Sequence, residues 1–375
     1  MRPSVVILAG IRWDFLWQRH QTLATLFARA GYPTVFVETT GLANPRPSKA
    51  ALGKVLSRVR RSREGVAKQP LQENLTVYAP LTLPPTSKAS VWANERFLLP
   101  RVVSDLGEIA GPRPVVVAYP PTRTTLALIS GLDPGLVLYD RSDGYEHFPG
   151  APKDISKTER ELLLRADLVS CTSQHLLQGA RRIRPDAFPS GPAVDYERFA
   201  VLQDAGEARK VNTVCFFGDA RRERVDFEVL EAIAGAGFGL RIVGGLDGAG
   251  KGLLKMPGVD YRGEVSHAGL PAALVGVDAF VLPYRVNAMT RAISPAKTYE
   301  CLAAGRPVVT AHLPAMEELG EYVYLAERQE DYVETLRSLW DRGTQRRVLA
   351  GIELARENSW EVRFGELEEI LWRAL

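Results

Sequence analysis

The chain has 375 residues, too many for one ordinary hydrophobic core, and its composition of 46% hydrophobic and 24% charged residues is that of a globular protein. A net charge of +3 excludes a polycation built for nucleic acid. Three widely spaced cysteines, Cys171, Cys215 and Cys301, match neither a disulfide framework nor a metal site and suit a reducing cytosol.

In chain order, the apolar run Val5–Ala9 meets Arg12 and Asp14 and is expected to be a first strand rather than a signal peptide. No apolar run approaches the length of a membrane span. A helical stretch, Gln18 to Ala30, follows. The segment Arg46–Lys68 then gathers Arg46, Lys49, Lys54, Arg58, Arg60, Arg61, Arg63 and Lys68 against the single acid Glu64. Within it Leu52, Val55, Leu56 and Val59 recur at helical spacing, with Lys54, Arg58, Arg60 and Arg61 off that stripe. One reading is a cationic amphipathic helix that docks on anionic lipid at the inner membrane face; the other is a solvated loop. No aromatic residue interleaves the charges, so nucleic acid is not expected as a partner.

Two trains of short apolar runs alternate with helix-sized segments. The first holds Val5–Ala9, Thr34–Glu38, Leu75–Ala79, Val115–Tyr119, Leu136–Asp140 and Leu168–Thr172. The second holds Val214–Phe217, Leu240–Val243, Val259–Arg262, Ala279–Leu282, Val308–Thr310 and Tyr322–Leu325. Continuous Val/Ile/Leu runs of this kind indicate parallel sheets covered on both faces. The expectation is an α/β protein of two Rossmann-like, doubly wound parallel-sheet domains, residues 1–195 and 196–359, facing a cleft that holds the site. Gly191-Pro192 and the polar run Gln203–Lys210 mark the joint, and the terminal helix 360–375 is expected to return to the first domain.

Neither sheet carries Gly-x-Gly-x-x-Gly after its first strand, which argues against a dinucleotide cofactor. Gly245 to Lys251 satisfies the glycine and lysine spacing of a phosphate loop. It fails at Gly252, which has no hydroxyl for magnesium, and before the Pro-broken Leu253–Pro257.

The most informative stretch is Ser294 to Thr310. Ser294 is expected to cap a helix, Pro295 to occupy its first position, and Gly305 with Pro307 to stop it. Lys297 in the first turn opposes the helix dipole unless an anion compensates it, and a helix N-terminus with an added cation is a phosphate site. Glu300, one turn on, suits a diol such as ribose; a plain Lys–Glu pair on a solvated face is the competing account.

On these residues the chain resembles the GT-B glycosyltransferases. The resemblance rests on Gly218, Val243-Gly244-Gly245, Leu282-Pro283-Tyr284 and the Pro-x-Lys-x-x-Glu-x-Leu-Ala-Ala-Gly-x-Pro-Val-Val pattern from Pro295. It extends to Trp17–Gln21 and Arg165–Val169. Leu138 to Gly144 is similar to the catalytic segment of the glucuronosyltransferase of the xanthan pathway and related bacterial enzymes. The resemblance implies Asp143 as catalytic base, Lys297 on the donor pyrophosphate, Glu300 on the ribose and Tyr284 in the nucleotide pocket. Gly218, Gly244, Arg291 and Ser294 complete the donor side, with Arg221 or Arg222 near the leaving phosphate. His20 is the rival base.

The retaining branch usually has a second glutamate where this chain has Ala292, which favours inversion. The implied reaction transfers a sugar, with UDP as default carrier, to a hydroxyl of a lipid-linked saccharide or similar acceptor in surface polysaccharide synthesis. No Asp-x-Asp occurs, so no metal and no cofactor are expected, and activity should survive chelation. A cytoplasmic enzyme, peripheral on the inner membrane face, is the matching location. A retaining transferase, an epimerase on the same fold and a non-catalytic nucleotide-sugar binder stay open as alternatives.

Overall fold

The structure is a computed structural model that describes residues 2–14, 17–38, 68–83, 87–148, 150–203, 210–339 and 342–375. Lys54, Arg58, Arg60 and Arg61, and with them the expected amphipathic helix, lie outside the described residues. The chain divides into two compact units, Met1–Ser190 with Leu367–Leu375, and Gly191–Glu366.

The first unit is built on an eight-stranded sheet in the order β3-β4-β2-β1-β5-β6-β7-β8. Its strands are β1 (Val5–Ala9), β2 (Thr34–Glu38), β3 (Lys68–Gln72), β4 (Leu75–Tyr78), β5 (Val115–Ala118), β6 (Leu136–Arg141), β7 (Leu168–Cys171) and β8 (Phe188–Pro189). All pairings are parallel except β3 with β4. The central strand β1 buries all five residues and pairs with β2 on one side and β5 on the other. β3 and β8 carry no apolar run, which is why they do not stand out in the sequence. β3 is a polar edge strand with Pro70 in it, where a missing N–H is tolerated. The C-terminal segment belongs here through Glu368, which accepts from Tyr32 Oη at 2.8 Å and pairs with Arg2 at 2.5 Å.

The second unit holds a six-stranded parallel sheet, β11-β10-β9-β12-β13-β14. Its strands are β9 (Thr213–Phe217), β10 (Gly239–Val243), β11 (Val259–Gly263), β12 (Ala279–Leu282), β13 (Val308–Ala311) and β14 (Tyr324–Ala326). Alternation along β9 sends Cys215 and Phe217 into one core, with Phe280, Tyr299 and Leu302. Val214 and Phe216 go into the other, with Ile242, Val281 and Leu336. Both faces are therefore covered, as continuous apolar strands require. In each sheet the chain first builds outward on one side of its first strand, then crosses to the other. The crossovers lie between β1 and β5 and between β9 and β12, where open α/β sheets leave a crevice at the carboxyl ends.

Candidate active site

At the β9–β12 crossover two glycine turns are packed against each other. Gly218, after β9, has φ +118° and Gly244, after β10, has φ +127°. A Cβ on Gly244 would lie 2.2 Å from the Gly218 carbonyl oxygen, and a Cβ on Gly218 would lie 2.1 Å from Lys297 Nζ. Only glycine allows both the backbone angle and the close approach. The Lys297 ammonium also lies 5.5 Å from the Phe216 ring and 5.8 Å from the Phe217 ring. Among the described residues it has no hydrogen-bond or ion-pair partner.

Lys297 belongs to the helix Ala296–Ala303, which begins one residue later than the sequence indicated. Ser294 is not its cap. Pro295 holds the N-cap position with φ −67° and ψ 108°, outside the helical region, and no side chain caps the first turn. Proline has no side-chain oxygen to offer; its carbonyl accepts from Thr298 N at 3.0 Å, and Lys297 shares the helix's positive end with first-turn donors that no side chain caps.

Glu300 is half-buried one turn along the helix. Burial pushes its carboxyl up to about 7, against the opposing charges of Lys297 and Arg198. Arg198 pairs with Asp195 at 2.7 Å and meets His267 Nδ1 at 3.0 Å. Burial and that guanidinium bring His267 down to about 4, so its ring is neutral at pH 7. Asp195, Arg198 and His267 were missed in the sequence because nothing local links Arg198 to a histidine 69 residues away.

The other residues expected on the donor side fall elsewhere. Arg221 is exposed and paired with Asp219 at 2.5 Å, and the Arg222 N–H donates to Asp247 at 2.7 Å. Asp247 also accepts from Ala249 N at 2.8 Å, so the chain's own carboxylate occupies the N–H groups of the false phosphate loop. Tyr284 and Arg291 line a cavity of about 750 Å³ at the carboxyl ends of β12, β13 and β14. Ala292 is buried, 1% exposed. Among the described residues no three His, Cys, Asp or Glu side chains gather with metal-holding geometry.

In the first unit Asp143 follows β6, half-buried, and accepts from the Ser142 hydroxyl at 3.3 Å. Ser142 Oγ also lies 3.1 Å from Tyr145 Oη. The neighbouring Arg141 is held by Glu159 at 2.9 Å and donates to the Leu176 carbonyl at 2.8 Å, so it braces the fold. His20 is buried rather than on the surface. It lies in the helix Arg19–Arg29 with its ring centroid 3.8 Å from that of Tyr119, and burial lowers it to about 3. Among the described residues its Nδ1 has no hydrogen-bond partner. Beside it Asp140, fully buried, accepts from Arg19 Nε at 2.6 Å and from Ser170 at 2.7 Å. The spacing of His20, Leu23, Ala24 and Phe27, one buried helix face, is the signal that would have placed His20 inside.

A glycosyl transferase-like family profile matches residues 221–369. TuaH of Bacillus subtilis (strain 168), assigned as a teichuronic acid biosynthesis glycosyltransferase, is 27% identical over 190 residues, 46% of this chain and 47% of TuaH. The match thus spans about half the length of that relative. Among solved structures, Anabaena HepE in complex with UDP and glucose superposes with a TM-score of 0.70 at 13% identity, over 99% of this chain and 100% of that one. Sucrose-phosphate synthase of Thermosynechococcus elongatus gives 0.67 at 15% identity, over the whole of both chains. None of these comparisons singles out the xanthan glucuronosyltransferase. The chain thus shares the two-sheet fold of these structures, and over residues 221–369 it is similar to the glycosyl transferase-like family.

Proposed function

We propose that the chain transfers a sugar from a nucleoside-diphosphate sugar, with UDP as the carrier, to a hydroxyl of a saccharide or lipid-linked acceptor in surface polysaccharide synthesis, without a metal and with inversion. The observation that carries this reading is the Lys297 ammonium, without an ion-pair partner among the described residues, set against Gly218 at a helix N-terminus that no side chain caps. A diphosphate supplies the negative charge that this arrangement lacks. Glu300, whose carboxyl titrates at about 7, is suited to a diol, accepting and donating hydrogen bonds to ribose. HepE, which shares the fold, is in complex with UDP and glucose, and the assignment of TuaH to teichuronic acid synthesis supports the surface-polysaccharide setting.

The reaction is a single displacement. The acceptor oxygen forms a bond to the anomeric carbon, the bond from that carbon to the diphosphate oxygen breaks, and Asp143 takes the acceptor proton. Lys297 and the first-turn N–H groups stabilise the charge that grows on the leaving diphosphate. Buried Ala292, in the place of a second glutamate, supports inversion. The work would lie at the inner membrane face, with residues 46–68 as the contact. No described helix is long and apolar enough to cross a membrane.

Thermal unfolding with UDP, GDP, ADP and ATP, each in EDTA and in magnesium, tests the donor site. A rise in midpoint with UDP in EDTA is expected; a rise only with ATP and magnesium overturns the reading. The anomeric configuration of the product, read by proton NMR, tests inversion, and retention of configuration refutes it.

A further inference from the structure

Two aromatic side chains of the first unit, Trp92 and Phe97, are each 61% exposed, and one irregular turn sets them side by side. The α-helix Lys88–Ala93 passes into the α-helix Leu99–Ala110 through a π-helical turn, Asn94–Leu98, closed by the Leu99 N–H on the Asn94 carbonyl. Residues five apart point about 140° away from each other around an α-helix, but to one side across a π-turn. The inward side explains the turn. Asn94, 1% exposed, clasps the Leu83 backbone, accepting from its N–H at 2.8 Å and donating to its carbonyl at 2.7 Å. Leu99, with Val102 and Leu106, is buried as well. A regular helix would turn Leu99 away from the side that Asn94 holds. The same five-residue step brings Trp92 and Phe97 together outside, edge to face, with ring centroids 5.3 Å apart.

Cations frame the pair. Lys88 stands one turn before Trp92 and Arg101 one turn after Phe97, and the Arg96 guanidinium lies 5.9 Å from the Phe97 ring; all three residues are exposed. Glu95 is the one acid between Lys88 and Arg101. The adjoining chain adds to the charge. Residues 39–67 leave from the carboxyl end of β2 and return at Lys68, whose backbone stands opposite Tyr78 at the carboxyl end of β4. From this same end the chain runs on to Leu83 and its clasp by Asn94. In sequence, 46–68 holds eight cations and one acid. Exposed tryptophan and phenylalanine among lysine and arginine suit a lipid surface, where rings settle between headgroups and acyl chains while cations meet anionic headgroups. A protein partner fits less well, because lysine is depleted from protein interfaces.

We propose that Trp92 and Phe97 insert into the interfacial layer of an anionic membrane, with Lys88, Arg96 and Arg101 on its headgroups. This deepens the proposed membrane setting, and it rests on the glycosyltransferase reading only for the reason the protein works there, a lipid-linked acceptor.

Flotation of the full chain with vesicles tests it, using phosphatidylcholine alone and phosphatidylcholine mixed with an equal part of phosphatidylglycerol. The wild type should bind the anionic vesicles and not the neutral ones. Trp92→Ser combined with Phe97→Ser should weaken that binding roughly tenfold or more, and Lys88→Gln, Arg96→Gln and Arg101→Gln each several-fold. Vesicles with brominated acyl chains should quench the wild-type fluorescence more than that of Trp92→Phe, a difference that charge attraction alone does not produce. An unchanged melting midpoint and a retained shift with UDP show that the variants are folded; should the double variant not fold, the quenching of Trp92→Phe decides. Absence of binding to anionic vesicles, equal binding to neutral ones, binding undiminished in the double variant, or equal quenching in Trp92→Phe overturns the proposal. Self-association that the double variant abolishes, in a wild type that ignores vesicles, overturns it in favour of a second copy of this chain. A wild type that responds to UDP and ignores vesicles defeats the lipid proposal alone. One that binds vesicles as described and ignores UDP leaves it standing and defeats the donor reading instead.

Discussion

Replacing Lys297 by alanine should leave the unliganded protein about as stable as before and abolish its response to UDP. The two effects separate because the ammonium sits in the first turn of Ala296–Ala303, against the positive end of the helix, with no side-chain cap. Removing it relieves a dipole repulsion of about 0.3–1 kcal/mol and gains roughly a few tenths in helix propensity. Opposing this is the lost attraction to the rings of Phe216 and Phe217, 5.5 and 5.8 Å away. Contacts of that kind contribute about 0.5–1 kcal/mol, so the balance lies within about 1 kcal/mol of zero. UDP at about a hundred times its dissociation constant adds roughly 2.7 kcal/mol to the wild type. For a unit the size of Gly191–Glu366 that corresponds to about 5–11 °C in midpoint. Scanning fluorimetry in EDTA, with and without UDP, should therefore give two apo midpoints within a few degrees and a shift in the wild type alone. A shift preserved in Lys297→Ala would refute the pyrophosphate assignment. A large fall in the apo midpoint would refute the claim that the lysine is held at a cost to the fold.

Glu300 carries a pH signature of unusual sign. Its carboxyl is pushed up to about 7 in the fold from an ordinary value of about 4.5, because burial disfavours the charge. Between those values the folded state holds a proton that the unfolded chain has lost, so stability falls as pH rises through that window. Glu300→Gln should gain about 2–3 kcal/mol on the wild type between pH 4.5 and 8 in urea titrations, and a constant difference would exclude the effect. Asp143→Asn should lower turnover by about 10²–10⁴ with the UDP shift intact; undiminished turnover would remove Asp143 from the mechanism. Asp140→Ala leaves the Arg19 guanidinium without its carboxylate and should cost about 3–5 kcal/mol in chemical unfolding, whereas a loss below about 1 kcal/mol would show the pair to be dispensable.

The parallel strands were legible because a strand buried on both faces must be apolar throughout, as Val115–Ala118 and Val308–Ala311 are. Edge strands answer to different rules, and β3 and β8 left no such trace. The end of the Lys297 helix was legible too, since Gly305, at φ +67°, takes the left-handed position that glycine favours. Its start was not: φ near −65° suits proline either inside or just outside a helix, and only ψ, which the sequence does not display, puts Pro295 outside. Gly218, Gly244 and Lys297 could be found because each breaks a local rule, a glycine after a strand or a cation at the wrong end of a helix. The bracing role of Arg141 could not be seen in the sequence, because its partner, Glu159, lies on the next helix, 18 residues away. The cavity lined by Tyr284 and Arg291 was beyond reach, since its wall comes from segments after four different strands.

The proposed donor side of the second unit is unfinished in a consistent direction. Among the described residues the ammonium of Lys297 has no ion-pair partner, the helix behind it has no capping side chain, and burial drives the Glu300 carboxyl toward its neutral form. Each of these costs free energy in the unliganded chain, and each cost points to the same missing component. A phosphate placed against Gly218 would neutralise the ammonium and accept from the first-turn N–H groups, while the ribose diol joined to it would occupy Glu300. A nucleoside without phosphates would answer only the last of these, and inorganic phosphate only the first two. On the proposed reading the arrangement would therefore favour the joined pair, and the Cβ-free surface of Gly218 is what leaves room for Lys297 beside it.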